Sequence, residues 1–171
     1  MSHHYGTVTM KGNPITLEGD SVQHGDRAPD FEVMDNDLNP VSLGEYKGNV
    51  LIISSVPSLD TSTCDMETRR FNQEAANLGE GVTILTISMD LPFAQKRWCG
   101  AAGVDRVITL SDYRKASFGL AYGVLISELR LLARAVFIVD QGGVLRYMHV
   151  VPEITQEPDY EEILATTRKY M

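Results

Sequence analysis

Two cysteines are the residues of this sequence with the clearest capacity for chemistry. The 171-residue chain contains Cys64 and Cys99 and no other cysteine. A cysteine is a nucleophile when its thiolate form is stabilised, and an inert apolar residue when it is simply buried. The surroundings of each sulfur therefore decide between a redox-active pair and two core residues.

The residues after Cys64 predict that it lies in the first turn of a helix. Cys64, Thr68, Phe71, Ala75 and Leu78 follow steps of three and four, which places them on one helical face. The first turn of a helix carries unpaired backbone N–H groups and the positive end of the macrodipole. Both stabilise a thiolate, so this position favours a nucleophilic cysteine.

Pro57 and Thr61 are candidate pocket residues beside Cys64. Pro57 has a fixed φ angle and no backbone N–H, so it can form one wall of a small site. Thr61 precedes Cys64 by three residues, which allows its hydroxyl to bond the sulfur or a bound oxygen. Alternatively, Pro57 only ends a strand and Thr61 only caps the helix.

Arg134 is a charged residue inside a segment that otherwise reads as an apolar strand, from Ala133 to Val139. A charge there is costly unless it is paired. Its planar donors can hold a thiolate and the oxygens of a substrate. Alternatively, the arginine reaches solvent or a carboxylate at the end of the strand.

Strands alternate with helices along the chain, which predicts an α/β fold with a mixed central sheet flanked by helices. Gly79 and Gly81 are expected to end the helix after Cys64, and Gly100 and Gly103 to break the helix that carries Cys99. The predicted strands are a hairpin over 5–19 and segments 49–56, 82–88, 107–110, 133–140 and 144–151. The predicted helices span about 64–78, 92–99, 113–122 and 158–170.

A thioredoxin-like topology with an N-terminal hairpin is favoured over a flavodoxin-like sheet, since no glycine-rich phosphate loop follows the first buried strand.

Composition and charge exclude several functional classes. The net charge of −8 argues against nucleic acid and against an anionic membrane surface. No apolar run is long enough to span a bilayer, and the polar N-terminus predicts a cytoplasmic protein without a secretory signal. A purely structural disulfide is unusual in a reducing compartment, so the two thiols are either inert or redox-active.

Several motifs in the right order resemble those of the peroxiredoxin superfamily, in particular its bacterial thiol peroxidase subfamily. Pro57-x-x-x-Thr61-x-x-Cys64 matches the peroxiredoxin signature. The further matching segments are 71–73 (Phe-Asn-Gln), 90–95 (Asp-Leu-Pro-Phe-Ala-Gln), 97–100 (Arg-Trp-Cys-Gly), 133–140 (Ala-Arg-Ala-Val-Phe-Ile-Val-Asp) and 153–160 (Glu-Ile-Thr-Gln-Glu-Pro-Asp-Tyr). The resemblance runs from the N-terminal hairpin to the closing helix.

The resemblance implies a role for each candidate residue. Cys64 matches the peroxidatic cysteine and Cys99 the resolving cysteine, while Thr61, Pro57 and Arg134 match the residues that surround the reacting sulfur. It implies that Cys64 reduces hydrogen peroxide and organic hydroperoxides, becomes a sulfenic acid and forms a disulfide with Cys99. Thioredoxin would reduce that disulfide, without a metal, haem, flavin or nucleotide cofactor. A homodimer and a single domain over residues 1–171, with a hairpin extension over about 1–20, are also implied.

Other functions remain open on the residues alone. The same disulfide could serve a peroxide-sensing switch or an interaction protein. A thiol–disulfide oxidoreductase is disfavoured, because no second cysteine follows Cys64 in a C-x-x-C motif. A disulfide requires Cα atoms within about 4.4–6.8 Å, so we expect the turn around Cys64 to unwind and the Cys99 region to shift in each cycle.

Overall fold

A computed structural model describes residues 2–171 of the chain, and a seven-stranded mixed sheet lies at its centre. Its strands are β3 (Glu32–Met34), β4 (Pro40–Ser42), β5 (Val50–Ser55), β6 (Val82–Ser88), β7 (Val107–Ser111), β10 (Ala135–Val139) and β11 (Leu145–Val150). They follow the order β11-β10-β5-β6-β7-β3-β4, in which β5, β6 and β7 are parallel and the outer strands are antiparallel. Every residue of β5 is buried, as a strand covered on both faces requires.

A second sheet contains the N-terminal hairpin. Strands β1 (Ser2–Met10), β2 (Asn13–Gly19), β8 (Leu125–Ile126) and β9 (Leu131–Leu132) form an antiparallel sheet in that order. Lys11 and Gly12 join the first two strands with φ angles of 50° and 81°, the left-handed geometry of a two-residue hairpin turn. The hairpin predicted from the sequence is therefore confirmed, apart from position 1, which lies outside the described residues.

Within residues 2–171, four α-helices and a short 3-10 helix (Leu43–Tyr46) complete the fold. The α-helices are α1 (Ser62–Leu78), α2 (Pro92–Ala102), α3 (Ser117–Ala121) and α4 (Tyr160–Tyr170). One apolar core joins one face of the central sheet to the hairpin, and a second joins the opposite face to α1 and α4. The predicted inner face of α1 is confirmed, since all five of its residues are buried. The expected α/β architecture is present, and the outer antiparallel strands are inconsistent with a flavodoxin-like parallel sheet.

Three local predictions were wrong. Gly100 does not break α2, which continues to Ala102, and only Gly103 ends it, with a left-handed φ of 67°. The helix predicted over 113–122 is a single short turn, α3, because the buried Asp112 carboxylate accepts from the N–H groups of Phe118 and Gly119 and so fixes where the helix starts. Strand β10 starts one residue after Arg134, which therefore lies at the strand entrance rather than inside it.

None of the helices within residues 2–171 is both long enough and apolar enough to cross a membrane.

Candidate active site

Cys64 lies in the first turn of α1, as the sequence predicts. Thr61 is the N-cap residue of this helix, and its hydroxyl oxygen accepts the backbone N–H of Cys64 at 3.2 Å. The sulfur belongs to a small apolar cluster with Val56 and Leu59, and the residue is 0% exposed. Both cysteines are present as thiols without a disulfide. Cys64 is therefore held at a helix N-terminus, away from bulk water.

Arg134 is brought directly to the Cys64 sulfur, although the two residues are far apart in sequence. The guanidinium Nη2 lies 3.1 Å from Cys64 Sγ, and the arginine is only 1% exposed. Its Nε donates to the carbonyl oxygen of Ile154 at 2.9 Å, and its Nη1 donates to the Glu67 carboxylate. Three partners thus fix the planar group, and one of its donors is directed at the sulfur.

Glu67 is the member of this site that sequence reasoning missed. It is fully buried in α1, where it bonds Arg134 and accepts the hydroxyl proton of Ser54 at 2.8 Å. Because buried glutamates are rare, a glutamate on this helix is not expected beside the sulfur. The signal that could have found it is its position three residues after Cys64, which puts both side chains on one helical face.

The site shifts the pKa values of both Arg134 and Glu67. Burial alone would lower the pKa of Arg134, but the nearby Glu67 and Cys64 outweigh that effect and raise it. Burial raises the pKa of Glu67, and the favourable contact with Arg134 offsets only part of this rise. The difference arises because Arg134 faces two acidic groups, whereas Glu67 shares a single cation with Cys64. Arg134 is therefore a permanent positive charge beside the sulfur.

Thr61 and Pro57 both lie close to Cys64 along the chain, and their contacts in the structure are structural ones. The Thr61 hydroxyl caps α1 through the Cys64 backbone rather than bonding the sulfur. Among residues 2–171 it has no other hydrogen bond, so its proton remains available to a ligand oxygen. Pro57 is buried between β5 and the turn that leads to α1.

Cys99 lies in α2 in different surroundings. It is half-buried, and its sulfur lies 3.3 Å from the hydroxyl of Thr109 on β7. That hydroxyl donates its proton to Asn36 Oδ1 at 3.1 Å, so it can only accept from the Cys99 thiol. The structure thus places Cys99 beside a neutral hydroxyl rather than beside Cys64.

The N-terminal hairpin is attached to the loop that orients Arg134. The backbone of Thr9 donates to the carbonyl of Pro152 at 2.8 Å and accepts from the N–H of Ile154 at 3.0 Å. The Gly12 N–H donates to the Glu153 carboxylate at 2.8 Å. Hydrogen bonds from the Thr155 hydroxyl and from Gly12 lower the pKa of Glu153 to about 2, so this carboxylate accepts at any physiological pH.

Within residues 2–171, no cluster of three or more histidine, cysteine or acidic side chains is arranged to hold a metal ion. What the site can do is stabilise an anionic sulfur and, beside it, negative charge on an oxygen.

Several known proteins are similar to this chain. Residues 23–164 match the Redoxin family model. The chain is 58% identical over 162 residues to a thiol peroxidase of Oceanobacillus iheyensis, covering 95% of this chain and 98% of that protein. It is 57% identical over 155 residues to a thiol peroxidase of Bacillus subtilis, covering 91% of this chain and 92% of that protein.

A solved structure is similar over the same extent. The crystal structure of a peroxiredoxin-like protein from Aquifex aeolicus superimposes with a TM-score of 0.91 at 44% identity, covering 98% of this chain and 99% of that one. The thioredoxin-like fold and the resemblance inferred from the motifs are thereby confirmed. The chain belongs to the Redoxin family, among the bacterial thiol peroxidases.

Proposed function

We propose that this chain reduces hydrogen peroxide and organic hydroperoxides with Cys64 and closes a disulfide between Cys64 and Cys99. That it is a thiol-dependent peroxidase follows from its family. The observation that carries the assignment to Cys64 is the 3.1 Å contact between its sulfur and the Arg134 guanidinium, at a helix N-terminus. Cation and helix dipole both favour the thiolate, which is the attacking form.

In the first step the Cys64 thiolate attacks one oxygen of the peroxide and the O–O bond breaks. The product on the protein is a sulfenic acid, and the departing oxygen leaves with the electron pair and takes up a proton. Arg134 and the Thr61 hydroxyl are the donors available to the developing negative charge. Because Cys64 is fully buried, the residues that cover it must move before a peroxide can reach the sulfur.

In the second step the Cys99 thiol displaces the hydroxyl of the sulfenic acid, which gives a disulfide and water. A dithiol reductant then attacks the disulfide, restores both thiols and is itself oxidised. Thioredoxin is the reductant we propose, and the reducing cytoplasm that would supply it is the proposed location. The unwinding around Cys64 and the shift of the Cys99 region remain predictions.

Steady-state peroxide consumption coupled to thioredoxin, thioredoxin reductase and NADPH tests the assignment. Wild type should turn over continuously, and Cys64→Ser should be inactive. Cys99→Ser should consume about one equivalent of peroxide and then stop with this reductant. Loss of the first equivalent only in Cys99→Ser would reverse the two roles. Peroxide-driven disulfide formation without thioredoxin-dependent turnover would favour a redox switch instead.

We also propose a homodimer and a single domain over the whole chain. Large apolar side chains are exposed at the starts of α1 and α2, namely Met66, Leu91 and Phe93, which supports a contact surface next to the active site. Light scattering on the wild type should give twice the chain mass, and Phe93→Glu should lower it. A monomeric wild type would contradict this part of the proposal without affecting the chemistry.

A further inference from the structure

The indole of Trp98 contacts the surroundings of one cysteine, and Trp98 is next to the other cysteine in the chain. Trp98 packs against the apolar cluster formed by Cys64, Val56 and Leu59. Cys99 follows it directly in α2, and consecutive residues on a helix do not face the same direction. The Cys99 sulfur accordingly contacts Thr109 on β7 instead. The side of α2 that faces Cys64 is thus occupied by the indole rather than by the second thiol.

The indole is fixed to the helix that carries Cys64. Trp98 Nε1 donates to Asp65 Oδ1 at 3.0 Å, and Asp65 is the residue that follows Cys64. Arg69, one turn further along α1, bonds the other oxygen of Asp65 at 2.9 Å and lies 5.7 Å from the centre of the Trp98 ring. Arg69 also donates to the carbonyl oxygen of Ala102 at 3.3 Å, near the end of α2.

These contacts join the two turns that must move for a disulfide to form. Asp65 belongs to the first turn of α1, and Trp98 to the turn of α2 that carries Cys99. For the Cys99 sulfur to reach Cys64, the indole must leave its position, and the hydrogen bond to Asp65 must break. That hydrogen bond stabilises the arrangement in which the Cys99 sulfur contacts Thr109 instead of Cys64.

We propose that Trp98, held by Asp65, is a positioning residue that separates the two cysteines and sets the lifetime of the Cys64 sulfenic acid. This inference rests on the proposed function. The reaction it controls is the condensation of the sulfenic acid with the Cys99 thiol, which releases water. While the indole remains in place, the sulfenic acid persists and is exposed to a second peroxide, which oxidises it to a sulfinic acid.

Trp98→Phe tests the proposal, since it keeps an aromatic ring but removes the N–H donor. Two rate constants are measured: peroxide loss in a single turnover, and disulfide formation by acid quench, thiol alkylation and mass spectrometry. The disulfide step should accelerate about fivefold relative to the peroxide step. This factor is the size expected when the single hydrogen bond from Trp98 to the half-exposed Asp65 carboxylate is lost. The sulfinic acid fraction at excess peroxide should fall.

Tyr147→Phe is the matched control, because it removes a ring donor from another carboxylate, Glu162, at 3.3 Å. The ratio of the two rate constants should not change in this variant. An unchanged or lower ratio in Trp98→Phe would overturn the proposal. A wild type that fails to consume peroxide at all would instead contradict the proposed function.

A second measurement does not depend on the folding of that variant. Trp98 is the single tryptophan of the chain, so its emission maximum reports the position of the indole. On addition of one equivalent of peroxide, the wild-type maximum should shift to longer wavelength at the rate of disulfide formation. In Cys99→Ser, which stops at the sulfenic acid, it should stay constant. An equal shift in both proteins, or in neither, would show that the indole does not move with the disulfide step.

Discussion

Cys64 is fully buried beside a guanidinium, whereas Cys99 is half-buried beside a hydroxyl. The first sulfur lies in an apolar cluster and accepts from a cation, whereas the second contacts a neutral hydroxyl. This difference separates the two tasks of the cycle. A thiol that must attack peroxide benefits from a permanent cation, while the thiol that attacks the sulfenic acid afterwards must first be brought to Cys64.

The largest effect should follow from Arg134→Lys. Lysine keeps the charge, but its compact ammonium group cannot bond Cys64, Glu67 and Ile154 in one plane as the guanidinium does. We expect the rate constant of the first step to fall by ~10²–10³-fold, the loss typical of a donor to developing charge. Single-turnover peroxide consumption measures it. A rate within threefold of wild type would show that the charge alone, without its geometry, activates the sulfur.

Glu67→Gln should have a smaller effect on the same step. The amide can still accept the Ser54 proton, but Arg134 loses its ionic partner and one of its three fixed contacts. We expect the first step to slow by roughly tenfold. Glu74→Gln is a suitable control, since Glu74 also pairs with an arginine of α1, Arg70, but lies far along the helix from Cys64. Equal losses in both variants would argue against a specific role for Glu67.

Thr109→Val should affect only the other cysteine. Valine has nearly the shape of threonine but lacks the hydroxyl that accepts from the Cys99 thiol. Releasing this neutral hydrogen bond should speed disulfide formation by about two- to threefold, with the peroxide step unchanged. The quench and alkylation assay resolves both steps. A slower disulfide step would instead identify Thr109 as the group that takes the Cys99 proton, and the contrast between the two sites would be weaker.

The pH dependence of stability should show the smallest effect, through Glu67. Its pKa in the folded protein is raised above the ordinary value of 4.5, so the folded state keeps a proton that the unfolded state has lost. The free energy of unfolding should therefore decrease as pH rises above 4.5 toward the folded-state pKa. Urea unfolding at several pH values should show this decrease relative to Glu67→Gln. An increase relative to that variant would mean that Arg134 lowers the pKa of Glu67 instead.

Much of the site could be predicted from local spacing. The helical face of α1 and the cap at Thr61 follow from short-range patterns, since each depends on residues within one or two turns. The sequence also marked Arg134 as unusual, because a charge next to an apolar strand needs a partner. Only the resemblance, however, connected Arg134 to Cys64.

What could not be predicted depends on contacts between distant segments. Strands β8 and β9 have two residues each, too few for any periodic pattern. The length of α3 depends on the buried Asp112 carboxylate. Gly100 is helical because α2 ends only at Gly103, three residues later. Glu67 can be buried because it forms an ion pair with Arg134, which lies in the other half of the chain.

Through its attachment to the loop around Ile154, the N-terminal hairpin over residues 2–19 helps to orient the Arg134 guanidinium. Thr9 holds Ile154 by its backbone, and the Ile154 carbonyl in turn holds Arg134 Nε. A chain that begins after Gly19 would keep both thiols and the central sheet but would lose the support behind one of the three contacts of the arginine. Such a truncated protein would also lose Val8, Ile15 and Leu17 from the core, so it should be less stable as well as slower to react with peroxide. A segment remote from the chemistry thus supports it through the Ile154 carbonyl.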